Sequence, residues 1–372
     1  MKRVLILEPY FGGSHAAWLE GLCRHLAADF TLLTLPPRKW KLRMQLAAPL
    51  LVEELRRLPR KERCFDLLLC TSLLDAAVLR ALLVNLPGWR TATPILLYFH
   101  ENQFVYPERY TDPGRQFFCG INWHSALAAD SIAFNSAYNA ATFFQGCREF
   151  FQTIGEKSLL ELVDRVEAKS RVLYPGIDFR EIDQIPWRAT TEVPVIVWNH
   201  RWEHDKNPQA FVAALFALAA AKRDFRLIIL GQDFPDKGKD CFAEIERHFA
   251  AKIIHCGFAA SARQYRLLLN QGDIVISTAR HEFFGMAVIE AVRAGCLPLL
   301  PDRLAYPELF PAEYLYGEEH PGRILAETIG AYRRPIRSTS RSLTERFAWD
   351  NLAGEYGDWL GVTPYCQENM LG

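Results

Sequence analysis

The chain alternates short, continuous apolar runs with segments of helical periodicity, and this alternation limits the folds that it can adopt. Continuous apolar runs suit parallel strands that are covered on both faces. The helical segments between them supply the crossovers that parallel strands require. A first series of runs occupies residues 4–7, 30–35, 65–70, 94–99, 131–134 and 171–174, and a second series occupies residues 193–198, 225–230, 252–255, 273–277 and 296–300.

The two series predict an α/β protein with two doubly wound, Rossmann-like parallel-sheet domains. A chain of 372 residues is long enough for two separate cores. We predict the first domain at residues 1–185 and the second at residues 190–340, because the stretch around Pro186 and Pro194 has few apolar residues. Residues 341–372 are expected to form a helical tail that packs on the body and could return to the first domain.

The composition excludes several classes of protein. A hydrophobic content of 50% with 12% aromatic residues excludes a disordered chain, and a formal net charge of +0 means that no global field draws the protein to nucleic acid. Apolar runs are too short for a membrane span, so we expect no membrane partner. Nine dispersed cysteines without a Cys-x-x-Cys pair are typical of a reducing cytoplasm. The oligomeric state is not predicted.

Two carboxylates, Glu282 and Glu290, frame the most informative segment of the chain. Glu282 follows a predicted strand, and open α/β sheets bind ligands at the carboxyl ends of their strands. Glu290 lies in the second turn of a helix that is apolar nearly all round, and a buried carboxylate needs a partner or a ligand. Carboxylates can hold hydroxyl groups, while the N–H groups of a helix N-terminus can hold an anion. A nucleotide sugar offers both kinds of group.

Two cations follow the first predicted strand of the second domain. Arg201 and Lys206 lie in the loop where phosphate would bind, at the same sheet edge as Glu282. Arginine offers a planar fork to phosphate oxygens, and lysine offers a compact charge. A surface loop of mixed charge is the simpler alternative, and the shared sheet edge favours phosphate binding.

Two polar segments follow strands of the first domain. Gly12 and Gly13 stand at a strand-to-helix turn, where glycine allows close backbone approach by a ligand, and Ser14 is predicted to cap the helix. A structural turn explains the glycines equally well. A run of four polar side chains directly after the fourth strand favours a sugar or acceptor site, and it comprises His100, Glu101, Asn102 and Gln103.

A basic segment lies between residues 36 and 63, where nine Lys or Arg face three Glu. Basic residues interleaved with aromatic ones can contact phosphates and stack on bases, although a solvated helix face is the commoner explanation. The residues that interleave in this way are Arg38, Lys39, Trp40, Lys41 and Arg43.

Motifs that would bind a metal are missing from the sequence. No Asp-x-Asp and no His-Glu-x-x-His is present, so we predict no metal site. Charge on a departing diphosphate would then be neutralised by Arg201, Lys206 and helix N–H dipoles.

Several motifs together resemble a known family. Two parallel-sheet domains, the Glu-x7-Glu spacing and the upstream Arg and Lys resemble retaining glycosyltransferases of the GT-B fold, the glycogen-synthase-like superfamily, in which the two domains face each other across a cleft. The blocks at residues 8–15, 98–103, 198–208 and 277–285 are similar to those of tRNA-queuosine α-mannosyltransferases. These blocks are spread over most of the chain and discriminate more sharply than the Glu-x7-Glu spacing.

The resemblance implies GDP-mannose as donor and metal-independent transfer with retained anomeric configuration, with no cofactor. Glu282 would bind the sugar, Glu290 the ribose, and Arg201 and Lys206 the leaving diphosphate. His100 would contact the sugar or acceptor near the reacting carbon. The backbone groups assigned to the donor's sugar and diphosphate belong to Gly12, Gly13, Phe284, Gly285, Met286 and Ala287.

The resemblance also implies queuosine in tRNA as the acceptor. His15 and residues 101–103 would form part of the acceptor site, and the basic segment around Arg38 would contact the tRNA backbone. Two alternatives stay open at this point. The acceptor could be a lipid, glycan or small molecule, since GT-B folds accept many acceptors, or the protein could bind tRNA without catalysis and keep only a vestigial sugar site.

Overall fold

The computed structural model describes residues 1–105, 114–155, 157–188, 192–231, 239–317, 321–331 and 337–365. The chain divides into two compact units. Unit 1 comprises Met1–Ile177 and Trp349–Gly372, and unit 2 comprises Asp178–Ala348. The sequence placed the first boundary between residues 185 and 190 and the start of the tail at residue 341.

Unit 1 is built on a six-stranded parallel sheet in the order β3-β1-β4-β5-β6-β7. Five crossovers contain the helices, as parallel pairing requires. In chain order, the strands of this sheet are β1 (Arg3–Glu8), β3 (Asp29–Thr34), β4 (Leu67–Thr71), β5 (Ile95–Phe99), β6 (Ser131–Phe134) and β7 (Ser170–Val172). The short strand β2 (Leu26–Ala27) lies between β1 and β3 in the sequence and is not part of this sheet. The helices are α1 (Gly13–His25), α2 (Trp40–Arg57), α3 (Ala76–Val84), α4 (Arg115–Ala128), α5 (Ala137–Ile154) and α6 (Lys157–Ala168).

Both faces of the unit 1 sheet are covered, which explains the continuous apolar runs. Along β1, Leu5 and Leu7 pack into the core on one face, and Val4 and Ile6 pack into the core on the other. Successive side chains of a strand point to opposite faces, so a strand buried on both sides must be apolar at every position.

Unit 2 repeats this architecture with a six-stranded parallel sheet in the order β10-β9-β8-β11-β12-β13. Its strands are β8 (Val195–Asn199), β9 (Arg226–Leu230), β10 (Ile253–Gly257), β11 (Ile274–Ile276), β12 (Leu297–Pro301) and β13 (Leu315–Tyr316). Its helices are α7 (Arg180–Asp183), α8 (Pro208–Ala220), α9 (Lys239–Phe249), α10 (Ala262–Gln271), α11 (Met286–Arg293), α12 (Tyr306–Leu309), α13 (Pro321–Ala331) and α14 (Arg337–Thr344). Single 3-10 turns occupy Arg60–Glu62 in unit 1, and His204–Lys206, Ala250–Lys252, Ala312–Tyr314 and Glu345–Phe347 in unit 2.

The last helix belongs to unit 1. Helix α15 (Trp349–Leu360) packs on α1, and the short strand β14 (Thr363–Pro364) pairs with β2. The hydroxyl of Tyr356 accepts a hydrogen bond from the Trp18 indole at 2.9 Å and donates to the carbonyl of Tyr174 at 3.0 Å. These buried bonds tie the end of the chain to the first sheet.

The α/β class and the paired Rossmann-like sheets are confirmed. Each predicted strand overlaps a strand of the structure, and the sequence did not predict the two-residue strands β2, β13 and β14. A strand of two residues has too few side chains to show a pattern. Among the described residues, no helix is long and apolar enough to cross a membrane.

Two helical glycines of unit 1 make a matched pair for testing how α15 is held. A Cβ on Gly21 of α1 would lie 1.9 Å from Nε1 of Trp349, whereas a Cβ on Gly120 of α4 would meet nothing within 4 Å. Gly21→Ala should therefore destabilise the protein by about 1–3 kcal/mol through overpacking. Gly120→Ala should stabilise it by up to about 1 kcal/mol, since alanine is the better helix former. Equal urea midpoints for the two variants would contradict this packing.

Candidate functional site

The site of unit 2 lies at the carboxyl edge of its sheet, beside two neighbouring strands. In the sheet, β9 and β10 lie on one side of β8, and β11 lies on its other side, so the direction in which strands are added reverses between β10 and β11. This reversal is the switch point where doubly wound sheets bind ligands. The loop after β8 carries Arg201 and Lys206, and the loop after β11 carries Glu282.

Lys206 is the centre of this site. Its Nζ donates to the carbonyl of His281 at 2.7 Å and to Oε2 of Glu282 at 3.2 Å. The same Nζ lies 3.2 Å from Oδ2 of Asp205. Two of the three N–H donors of the ammonium are thus used in hydrogen bonds, and Asp205 contributes an ion pair, since its Oδ2 accepts no hydrogen bond from the described residues. The side chain is buried, with 8% of its surface exposed.

The backbone around Lys206 joins the two loops. The carbonyl of Asp205 accepts hydrogen bonds from the N–H groups of Arg280 at 2.8 Å and His281 at 3.2 Å. The hydroxyl of Thr278 donates to the carbonyl of Lys206 at 3.0 Å. The loop after β8 therefore sets the position of Glu282 through both main-chain and side-chain bonds.

Opposite charges decide the protonation states here. Burial alone would raise the pKa of Glu282, but the Lys206 ammonium outweighs it and the pKa is lowered. Burial would likewise lower the pKa of Lys206, but Glu282 and Asp205 hold it above its usual value. Each charged form is thus stabilised by the other, and all three groups are charged at neutral pH.

The nearby histidines are neutral at physiological pH. Burial, with the Lys206 ammonium, lowers the pKa of His200 to about 4 and the pKa of His281 to about 4. Positive charge near this edge therefore comes from Lys206 and from Arg201, whose side chain is 47% exposed and lies 3.4 Å from a carboxylate oxygen of Glu203.

Glu290 lies on α11 and is held by a partner that the sequence did not indicate. The Tyr265 hydroxyl donates to Oε2 of Glu290 at 2.7 Å. The Asn199 amide in turn donates to the Tyr265 hydroxyl at 2.8 Å and to the carbonyl of Ala287 at 3.0 Å. Burial raises the pKa of Glu290 more than the tyrosine hydrogen bond lowers it.

Helix α11 begins and ends as its sequence predicts. Gly285, with φ of 91°, precedes the helix, and no side chain caps it. No acceptor among the described residues pairs with the N–H groups of Met286 and Ala287, and such groups can hold an anion. At the other end, Gly295 and Cys296 donate to carbonyls of the last turn in the arrangement that a C-terminal glycine favours.

The glycine turn of unit 1 differs from the sequence prediction in one respect. Helix α1 starts at Gly13, and Gly12 precedes it without any side-chain cap, so the prediction that Ser14 caps the helix is wrong. A cap at Ser14 would require the helix to start at His15, and it starts two residues earlier, so Ser14 lies inside the first turn. Gly13 has φ of 54°, and a Cβ on Gly12 would lie 2.5 Å from Cγ of Pro37. Backbone conformation and close packing thus explain why glycine occupies both positions. The assignment of these glycines to donor binding stays a prediction.

Three ionisable groups meet at the carboxyl edge of the unit 1 sheet. Nδ1 of His15 lies 3.3 Å from Oε1 of Glu8, and the His15 ring stacks on the His100 ring with centroids 3.9 Å apart. The three residues offer ligand atoms that all lie within 4.8 Å of one another. The sequence predicts no metal site, and it could not show this group because its members are far apart in the chain.

The polar run after β5 is used within unit 1. Asn102 is fully buried and its amide donates to Oδ1 of Asn139 at 2.9 Å and to Thr142 at 3.0 Å. Gln103 donates its amide to Glu101 at 3.1 Å. These bonds hold the loop that carries His100. The predicted acceptor contacts of residues 101–103 are not tested by this arrangement.

The basic segment covers the start of α2 and its approach. Arg38, Lys39 and Lys41 are exposed, whereas Arg43 is half-buried and donates to the carbonyl of Pro36 at 3.1 Å. Trp40 is half-buried and packs on Phe118 with centroids 5.5 Å apart, and the Lys41 ammonium lies 5.6 Å from the centroid of each of these two rings. Three of the four cations thus lie on the surface, while Trp40 packs against the body of unit 1.

Sequence reasoning missed Asp205, Tyr265 and Glu8. Asp205 and Glu8 stood inside motifs already noted, directly beside a predicted site residue or at the end of a strand. Tyr265 gave no signal, because its link to Glu290 depends on how α10 and α11 pack.

Comparisons with known proteins show the family to which the chain belongs. A family model described as tRNA-queuosine alpha-mannosyltransferase N-terminal matches residues 3–177, and the model of group 1 glycosyl transferases matches residues 179–317. The tRNA-queuosine alpha-mannosyltransferase of Drosophila melanogaster is 34% identical over 329 residues, which are 84% of this chain and 83% of that protein. The chain belongs to the tRNA-queuosine alpha-mannosyltransferase family. The predicted family is thereby confirmed, and the chain is a glycosyltransferase.

More distant relatives agree with this family assignment. The GDP-mannose:cellobiosyl-diphosphopolyprenol alpha-mannosyltransferase of Xanthomonas oryzae pv. oryzae is 28% identical and covers 54% of this chain and 56% of that protein. Among solved structures, Anabaena HepE with UDP-glucose has a TM-score of 0.64 at 16% identity, covering 97% of this chain and 100% of that chain. Sucrose-phosphate synthase of Thermosynechococcus elongatus has a TM-score of 0.67 at 11% identity, covering 96% and 98%. At these identities the structures show the shared GT-B fold alone.

The raised pKa of Glu290 predicts a stability effect with a defined pH dependence. Above the raised pKa, the buried charge costs folding free energy, and below the unfolded value of 4.5 the cost vanishes. Glu290→Gln should therefore raise the melting temperature at pH 7, and this gain should shrink as the pH falls towards 4.5. The exposed control Glu246→Gln should change little. A destabilised Glu290→Gln protein at pH 7 would refute this electrostatic account.

Proposed function

We propose that the chain transfers mannose from GDP-mannose, with retained configuration, to the queuosine base of tRNA. The observation that carries this proposal is the buried Lys206, Glu282 and Asp205 group at the switch point of unit 2. It places one cation beside a carboxylate that can accept hydrogen bonds from sugar hydroxyls. Membership of the tRNA-queuosine alpha-mannosyltransferase family supports the acceptor.

In this scheme, Lys206 exchanges a carboxylate partner for the diphosphate when the donor binds. Lys206 donates hydrogen bonds to Glu282 and His281 and forms an ion pair with Asp205, so a diphosphate oxygen would compete with Glu282 and Asp205 for the ammonium. Release of Glu282 would free its carboxylate for the mannose hydroxyls as the lysine moves to phosphate. Arg201 and the N–H groups at the start of α11 would share the charge on the leaving diphosphate.

Glu290 would bind the nucleotide ribose in this scheme. One of its oxygens accepts from Tyr265, so the carboxylate is held in one orientation. Ribose hydroxyls can then donate to the remaining lone pairs.

We further propose that no divalent metal bridges the diphosphate. Lys206 and Arg201 lie in the loop after β8, at the sheet edge to which we assign the diphosphate, and their charges can replace that of a metal ion. Added Mg²⁺ or Mn²⁺ should then leave the rate of mannose transfer unchanged. A rate that rises in proportion to either ion would contradict metal independence.

The acceptor would be bound by unit 1, in the cytoplasm where tRNA is modified. His15, His100 and the polar loop at residues 101–103 line the carboxyl edge of its sheet, and the exposed cations before and within α2 would contact phosphates. Catalysis needs no dedicated side-chain base, since a donor phosphate oxygen can accept the acceptor proton.

One incubation separates this function from the alternatives. The protein is mixed with GDP-mannose and either queuosine-containing tRNA or the same tRNA without queuosine, and the nucleosides are analysed by mass spectrometry. A gain of one hexose on queuosine alone supports the proposal. Donor hydrolysis without tRNA modification would favour a lipid, glycan or small-molecule acceptor, and neither activity would favour a non-catalytic tRNA-binding protein.

Replacement of Glu282 tests the donor site. Glu282→Ala should lower kcat at least about 100-fold, because the sugar loses the group that orients it. The fold should persist, since Lys206 keeps Asp205 and the His281 carbonyl as partners. Glu246→Ala, an exposed carboxylate of the same unit, is the control and should be fully active. Near-normal turnover by Glu282→Ala would remove this residue from the mechanism.

Charge reversal tests the tRNA contact. Arg38→Glu, Lys39→Glu and Lys41→Glu together should weaken tRNA binding and reduce its salt dependence by about one unit of slope per lost phosphate contact. GDP binding should be unchanged.

A matched control reverses three exposed cations of unit 2. Lys222→Glu, Arg223→Glu and Arg226→Glu make the same change in net charge, so they should affect tRNA affinity much less. Equal losses from both triple variants would mean that net charge, and not this segment, governs binding.

A further inference from the structure

The group formed by Glu8, His15 and His100 contains two buried side-chain atoms without a hydrogen-bond partner. Glu8 is fully buried, and each histidine is 8% exposed. Oε2 of Glu8 and Nε2 of His100 have no hydrogen-bond partner among the described residues.

A buried polar atom without a hydrogen-bond partner costs folding free energy unless a ligand or ion interacts with it. The other oxygen of Glu8 accepts from the Tyr10 N–H at 2.8 Å and lies beside Nδ1 of His15. Neither interaction reaches Oε2. A bound cation would give Oε2 of Glu8 and Nε2 of His100 a partner at once.

We propose that Glu8, His15 and His100 bind one divalent transition-metal ion of the zinc class. Two imidazoles with one carboxylate are a common ligand set for such ions. The site lies in unit 1 and shares His15 and His100 with the proposed acceptor site, and binding of the ion can be measured without the proposed sugar transfer.

The three ligand atoms must move closer together to bind one ion. The ligand atoms lie within 4.8 Å of one another, whereas ligands at about 2.1 Å from a tetrahedral zinc are roughly 3.4 Å apart. The rings of His15 and His100 are stacked with an interplanar angle of 29°. Because a ring nitrogen binds a metal in the plane of its ring, at least one ring must turn, and the stack should open when the ion binds.

The ligands come from three elements of unit 1. Glu8 ends β1, His15 lies in the first turn of α1, and His100 follows β5. Strand β4 lies between β1 and β5, and at its end the hydroxyls of Thr71 and Ser72 are also buried without a partner among the described residues. The ion would cross-link strands that are not adjacent in the sheet.

Metal binding to the full chain tests this site without any activity assay. The protein is stripped with a chelator and titrated with Zn²⁺ by calorimetry, as wild type, Glu8→Gln and His100→Ala. The wild type should bind one equivalent at this site. Each variant should bind at least about 10–100-fold more weakly, since loss of even an outer-shell partner has that effect. The control His124→Ala removes an exposed histidine of α4 and should bind like wild type.

A second measurement on the wild type covers the case in which a variant fails to fold. Co²⁺ should shift and broaden the ring-proton resonances of His15 and His100 but not those of His124. Its visible spectrum should lack thiolate charge transfer, which separates this site from the free cysteines of the chain. Absence of these shifts, or Zn²⁺ affinity that is unchanged in folded Glu8→Gln and His100→Ala, would overturn the site. Mannose transfer could still proceed, so this failure is distinct from failure of the proposed function.

Discussion

The ammonium group of Lys206 holds the unit 2 site together. It is buried between Asp205, Glu282 and the carbonyl of His281, and removal of the ammonium would leave the two carboxylates buried without a compensating charge. The same contacts join the loop after β8 to the loop after β11. The connection between the two loops and the orientation of Glu282 therefore depend on this one charge.

Much of the fold could be predicted from the sequence because strands covered on both faces must be apolar throughout, as Leu5 and Ile6 illustrate on opposite faces of β1. Glu282 and Lys206 were also predictable, since both follow strands that end at the same sheet edge. The start of α1 was not, because Ser14 and Gly13 are both acceptable near a helix N-terminus and only the packing of Gly12 on Pro37 decides between them.

The sequence could not predict which side chains from distant parts of the chain contact each other. Tyr265 holds Glu290, and Glu8 meets His15 and His100, only because separate helices and strands bring them together. Local patterns carry no record of such contacts. The lack of a partner for Oε2 of Glu8 and Nε2 of His100 among the described residues is likewise a property of the tertiary structure.

The central claim is that Lys206 exchanges a carboxylate for the donor's diphosphate. A crystal structure of the protein with GDP-mannose tests it directly. The claim predicts Nζ of Lys206 at a hydrogen-bonding distance of about 2.7–3.2 Å from a diphosphate oxygen, with Glu282 accepting from a mannose hydroxyl. GDP-mannose bound while Nζ still contacts both Glu282 and Asp205, with no phosphate oxygen in reach, would contradict it.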